Sequence, residues 1–255
     1  MLLEYLEALI RLFYPATCEV CKVSLTLEEK ILCGTCAQKV ESLAWPLEET
    51  LVEERFEYLD HVWTAYAYNS PVKELLHGVK YSSKDYLLKT FRKHAAHLAQ
   101  AVTSDFGYES ILPIPINRLK LVQRHFNQSE ILAGLLAPWM TAPVKRSFLI
   151  KRHAIPSQTS LSHQERAINV YGAFRLRRPQ KAVGHSFLLI DDVLTTGATA
   201  NEAARLLKLH GAKRVDFLAL ARTPSPEEKN ALRSAAPGRS ENSETRHSLP
   251  PTKTV

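Results

Sequence analysis

No apolar run in this 255-residue chain approaches the roughly 20 residues that a membrane-spanning helix needs. The opening MLLEYLEALIRLF comes nearest to a secretory segment, but Glu4, Glu7 and Arg11 interrupt it. Its apolar residues Leu2, Leu6, Leu9 and Phe13 recur near helical spacing. The expectation is an amphipathic helix packed on the body of a cytoplasmic protein. Cysteine is scarce too: four residues, all between positions 18 and 36, and disulfides are disfavoured in a cytosolic chain. Acids nearly vanish from residues 118 to 181, where twelve Lys or Arg face only Glu130 and Glu165. That imbalance points to an anionic partner, a phosphorylated small molecule or nucleic acid, unless it is merely a solvated basic face. Otherwise 45% apolar and 23% charged residues are ordinary for a soluble globular protein of one large or two modest domains.

The cysteines form two pairs, C-E-V-C (Cys18, Cys21) and C-G-T-C (Cys33, Cys36), separated by eleven residues. Such spacing resembles the knuckles that close a tetrahedral thiolate shell around zinc. The segment is too poor in apolar residues to fold on its own core, so a structural zinc would supply its folding energy. A redox C-x-x-C or inert thiols are the alternatives. His94 and His97, three apart on a predicted helix, suit surface or core packing better than a metal.

Further on, short strand-like runs (HVWTAYAY, ILPIPI, SFLIKR, FLLI and RVDFLALA) alternate with helical stretches. The helical ones are PVKELLHGVK, Lys84 to Val102, NQSEILAGLLAPWM and ANEAARLLKLHGA. This alternation predicts an α/β fold on an open, mostly parallel sheet. Three regions result: residues 1–45 with the helix and zinc-ribbon-like module, 46–222 with the α/β domain, and 223–255. The last has no aromatic residue and almost no aliphatics, and is expected to be disordered.

The chemistry concentrates in FLLIDDVLTTGATA, Phe187 to Ala200. In an open α/β sheet, ligands sit outside the carboxyl ends of the strands. The buried run Phe187 to Ile190 would therefore deliver Asp191 and Asp192 to that edge. The loop after it leads into a helix, and its N–H groups with the Thr195, Thr196 and Thr199 hydroxyls suit a phosphate. Gly197 permits close backbone approach. Two carboxylates beside a phosphate make sense if they face hydroxyls or Mg²⁺ on the same ligand, so a sugar phosphate is inferred. Thr199 as a plain helix cap is the bland alternative. A P-loop is excluded, because no G-K-[ST] is present in the loop.

FLLIDDVLTTGAT is similar at all thirteen positions to the phosphoribosyl pyrophosphate signature of type I phosphoribosyltransferases. The wider chain, Leu2 to about Arg222, resembles the ComF/GntX family, a phosphoribosyltransferase-like fold behind a four-cysteine zinc module. The resemblance is carried by the cysteine pairs, VKYSSKD, LPIPINRLKLVQRHFNQ, PSQTSLSHQERAINVYGAF and the thirteen-residue loop. It implies that Asp191 and Asp192 contact ribose hydroxyls, directly or through Mg²⁺. Thr195, Thr196, Gly197, Ala198 and Thr199 would hold the 5′-phosphate. Lys80 and Tyr81 would lie by the pyrophosphate. Arg124, Asn127 and Gln128 match a further family stretch, and Arg152, Gln158 and Arg166 fall in a mobile flap.

Two departures stand out: His125 and Ser160 replace usual glycines. A non-glycine at 125 argues against a positive φ there, and Ser160 would stiffen the flap. Each mapped residue also has a plainer reading, Lys80 as a solvated helix end, Arg124 and Arg166 in structural ion pairs, Asn127 as a helix cap.

The family's association with competence and DNA utilisation supports two hypotheses. One is a Mg²⁺-dependent phosphoribosyltransferase with Lys80, Arg124, Asp191 and Asp192 at its catalytic centre and an unidentified acceptor. The other is a non-catalytic module that senses the ligand or binds single-stranded DNA or competence-machinery proteins. Base-stacking aromatics are thin in the basic stretch (Phe126, Trp139, Phe148, Tyr171, Phe174), which weakens the DNA reading.

Overall fold

The computed structural model describes residues 15–47, 56–152, 170–225 and 228–230. The amphipathic opening segment, Gln158, Ser160, Arg166 and most of the tail lie outside the described residues.

Four strands form a parallel sheet in the order β1-β6-β5-β2: β1 Val62–Ala67, β2 Ser110–Pro113, β5 Ser186–Leu194 and β6 Arg214–Arg222. Their near-continuous apolar runs suit strands covered on both faces. Phe187, Leu188, Leu189 and Ile190 of β5 and Val215 to Ala221 of β6 are buried. Two short strands, β3 Leu149–Lys151 and β4 Phe174–Leu176, pair antiparallel apart from this sheet.

β5 does not stop at the acids. It continues to Leu194, with Asp191 opposite Ala219 and Leu194 opposite Arg222. The long partner β6 supplies ladder hydrogen bonds that outweigh the poor strand preference of aspartate. On the other side β2 ends at Pro113, opposite Ile190. Asp191 and Asp192 are therefore paired on one side and open on the other. That asymmetry creates the recess at the carboxyl edge.

Helix α1 (Gly34–Glu41) belongs to the cysteine module, and α2 (Val72–Tyr81) follows β1. The helix expected to run unbroken from Lys84 is instead a 3₁₀ segment, Asp85–Phe91, leading into α3, Arg92–Asp105. The 3₁₀ form buries Leu87, Leu88 and Phe91 together, and Leu87 packs where a Cβ on Gly78 would come within 2.7 Å of it. Helix α4 (Arg118–Arg124) had no sequence counterpart; Asn117 Oδ1 caps it by accepting from the Lys120 N–H at 2.8 Å. It closes at His125 in the left-handed region, φ 65°, so the missing glycine does not prevent that conformation.

Asn127 caps α5 (Gln128–Leu136) as expected, and its amide donates to the Ile114 carbonyl at 3.0 Å. Helix α6 (Ala198–Leu209) joins β5 to β6. Its N-cap is Gly197, not Thr199.

The cysteine module leans on the β1 edge, an exposed ladder that would otherwise invite pairing. The Trp45 N–H donates to the Ala65 carbonyl at 2.9 Å and the Ala67 N–H to the Leu43 carbonyl at 2.8 Å. Glu19 accepts from Lys84 Nζ at 2.7 Å and from the Tyr86 hydroxyl. His94 is half-buried with its ring edge-on to Tyr66, a packing role. Beyond β6, Ser225 and Glu228 cap each other's backbone N–H groups at the start of a helical turn. No described helix is long and apolar enough to cross a membrane.

Candidate functional site

The two acids differ in what they touch. Asp191 Oδ1 accepts from the Ser129 hydroxyl at 2.6 Å and from the Asp192 N–H at 2.9 Å. Burial and the adjacent Asp192 charge push Asp191 up to about 6, against the lowering effect of those hydrogen bonds. Asp192 is buried, with Lys80 Nζ 2.9 Å from its Oδ2. That oxygen accepts no aligned hydrogen bond, so the contact is an ion pair that leaves lone-pair capacity for a hydroxyl donor or a cation. Lys80 lies in the last turn of α2, one residue before Tyr81. Tyr81 is 72% exposed, and the Arg124 guanidinium stands 5.4 Å from its ring centre. The structure thus gathers Lys80, Tyr81, Arg124 and both acids at one edge.

The loop from Leu194 to Gly197 wraps a small concavity of about 40 Å³ bounded by Asp191 and by residues 193–200. Gly197 has φ 70°, which turns the chain sharply from the strand into α6. The Ala198 N–H points at the Thr196 hydroxyl, 3.4 Å away. Thr195 is exposed; Thr196, Ala198 and Thr199 are half-buried. The Phe56 ring lies so close to Gly197 that a Cβ there would clash with Phe56 Cε1. Gly197→Ala is expected to destabilise the fold by about 1–2 kcal/mol from the left-handed backbone alone, and by more if Phe56 must move. Urea denaturation checks this; a loss no larger than the backbone cost would mean that Phe56 gives way freely, and an unchanged midpoint would contradict the need for a left-handed residue at 197.

Three further residues were not singled out in the sequence. Ser129 is the donor to Asp191. Lys120 is exposed overall, yet desolvation and the Arg124 and Lys80 charges hold it below the usual lysine range, and it feels both acids. Lys151, on β3, is lowered by burial and by Lys120, and lies within electrostatic reach of Asp191. Cations depressed by their neighbours in one recess are a recurring mark of functional sites. Arg152, by contrast, is exposed at the end of β3, its N–H bound to the Ala173 carbonyl; no contact joins it to the acids. Gln158 lies outside the described residues.

The four cysteines also come together, with all thiol sulfurs within 4.8 Å of one another. Tetrahedral zinc at ~2.3 Å from each sulfur requires separations of roughly 3.8 Å, and Cys21 and Cys33 are 3.6 Å apart. Against the raising effect of burial, the N–H groups of Cys33, Cys21 and Val20 bring Cys18 down to about 6. Burial and the other three thiols push Cys36 up to about 12. A cluster in which one thiolate forms readily and raises its neighbour is compatible with a divalent ion that would neutralise it.

Residues 127–233 match the phosphoribosyl transferase domain family. DNA utilization protein YhgH of Escherichia coli K12 is 28% identical over 210 residues, 81% of this chain and 90% of that protein. Competence protein F of Haemophilus influenzae is 24% identical over 227 residues, covering 82% and 98%. A hypoxanthine-guanine phosphoribosyltransferase structure from Bacillus anthracis overlaps 54% of this chain and 71% of its own, at 18% identity and a TM-score of 0.36, a likeness too low to weigh. The chain thus joins a region matching the phosphoribosyl transferase domain to a parallel sheet with two acids at its carboxyl edge and a four-cysteine cluster ahead of it, and along most of its length it is similar to DNA utilization and competence proteins.

Proposed function

We infer that the recess binds phosphoribosyl pyrophosphate with Mg²⁺ and transfers its phosphoribosyl group to a nitrogenous acceptor, in the service of DNA uptake or utilisation in the cytoplasm. The observation that carries this reading is the adjacency of two unlike features. Asp191 and Asp192 stand beside a backbone loop, pinned by Gly197, that opens a helix. One feature suits ring hydroxyls, the other a phosphate.

Asp192, with an oxygen short of donors, and Asp191, oriented by Ser129, would accept from the ribose hydroxyls. Thr195 to Thr199 would hold the 5′-phosphate. Lys80, Arg124 and Lys120 would face the pyrophosphate, where charge builds as the anomeric bond breaks. Lys80 would exchange its contact with Asp192 for one to the ligand. When bound, Mg²⁺ neutralises part of the departing charge. Gln158 and Arg152 would lie in or beside the flap that excludes water. The cysteine cluster would hold a structural zinc with no open coordination position.

Calorimetric titration of the full chain with phosphoribosyl pyrophosphate and Mg²⁺ tests the binding step. Heat with saturation is expected. Its absence from folded, zinc-loaded protein would overturn the reading.

A further inference from the structure

A second cavity, of about 690 Å³, opens at the opposite edge of the sheet. It is lined by Ser110 and Phe187, at the start of β2 and β5. Phe187 precedes Asp191 by four residues, so roughly 13 Å of strand separates this cavity from the acids.

Its walls carry five cations, Lys145, Arg146, Arg177, Arg178 and Lys181, against one carboxylate, Glu109. Among the described residues, no carboxylate lies within ion-pairing distance of any of the five. Like charges gathered without counter-charges repel one another, so the arrangement favours an anion that neutralises several at once. Phe148 also lines the cavity, stacked on Phe187 at 5.5 Å and 20°.

These walls are anchored. The Lys145 N–H donates to the Ile111 carbonyl at 2.8 Å and the Arg177 N–H to the Phe148 carbonyl at 2.9 Å. The Lys181 N–H donates to the Arg178 carbonyl at 3.0 Å. These bonds fix the backbone that carries Lys145, Arg177 and Lys181, while the five charged side chains stay exposed and reachable from solvent.

We propose that this cavity is a second ligand site, separate from the sugar-phosphate recess, and that it binds a nucleoside polyphosphate. The volume falls within the roughly 300–1,000 Å³ of small-ligand sites and exceeds what an inorganic phosphate fills. Five cations match a chain of two or three phosphates, and Phe148 offers a base an aromatic surface. The cations ring one concavity, which favours a single compact nucleotide over an extended strand.

The test is calorimetric titration of the full chain with ATP and with GTP, without phosphoribosyl pyrophosphate. At least one is expected to bind once per chain. Arg177→Glu with Arg178→Glu weakens that binding at least tenfold and leaves phosphoribosyl pyrophosphate binding unchanged, while Asp192→Asn leaves the nucleotide binding within twofold. Both arginines are exposed, and circular dichroism checks the fold; Lys181→Gln reads the same wall at smaller charge change, with at least a threefold loss expected. Heat from neither nucleotide would overturn the proposal. So would nucleotide binding lost equally in Asp192→Asn, or heat only with a single-stranded oligonucleotide.

Discussion

Asp191→Asn combined with Asp192→Asn is expected to leave the chain folded and to weaken phosphoribosyl pyrophosphate binding by a factor of about 100 or more. The fold survives because asparagine keeps a carbonyl oxygen that can accept from Ser129 and from the residue-192 N–H, the two bonds Asp191 makes now. Two neighbouring carboxylates also repel, which is one reason Asp191 is pushed up, and neutral amides remove that strain. Binding suffers for the opposite reason. Hydrogen bonds to a charged acceptor contribute roughly 1.5–3 kcal/mol each, and two amides forfeit the charge at both. Lys80 loses its carboxylate partner as well. Calorimetry gives the affinity and thermal unfolding the stability. A loss below tenfold would mean that the acids do not hold the ligand.

The second large effect concerns the cysteine module. Cys36→Ser is expected to abolish zinc retention and to collapse amide protection across residues 17–41, while the β5 and β6 amides stay protected. Among the described residues the module has little core of its own: Cys18, Leu32, Cys36 and Val40 are its buried apolar residues up to the end of α1, and two of these are the proposed ligands. Structural zinc contributes apparent free energies of about 10–16 kcal/mol in small modules, more than four buried side chains replace. The Leu43 and Trp45 contacts to β1 would loosen next and expose that edge. Hydrogen exchange with metal analysis checks both halves. Unchanged protection over residues 17–41 would show that the cluster folds without metal.

Much of this architecture was legible because buried parallel strands write themselves as apolar runs. FLLI and RVDFLALA mark β5 and β6 without help from their neighbours, and the acids following the first run mark its functional end. What stayed hidden depended on distant partners. Ser129 meets Asp191 across 62 positions of chain, and Lys120 and Lys151 reach the recess from a helix and a strand that have no sequential relation to β5. Helix α4 escaped notice because it is seven residues long and leaves Leu119 and Val122 exposed, so it carries no amphipathic pattern. The break at Asp85–Phe91 was likewise invisible, since helical spacing alone does not distinguish an α-turn from a 3₁₀ turn packed onto Gly78. His125 shows the limit of residue preference: a left-handed position disfavours side chains without forbidding them.

Lys80 and the buried Asp192 neutralise each other in the recess, 2.9 Å apart. Under the proposed function, a ligand carrying both hydroxyls and phosphates would compete for this pair, the hydroxyls going to the acid and the phosphates to the lysine.

The most direct measurement is the titration of wild-type protein with phosphoribosyl pyrophosphate, with added Mg²⁺ and in metal-free buffer without chelator, so that the cysteine cluster is undisturbed. One site per chain is expected, weakened at least tenfold when Mg²⁺ is omitted. Heat that is absent in both buffers, or that persists unchanged in the double asparagine variant, would contradict the account.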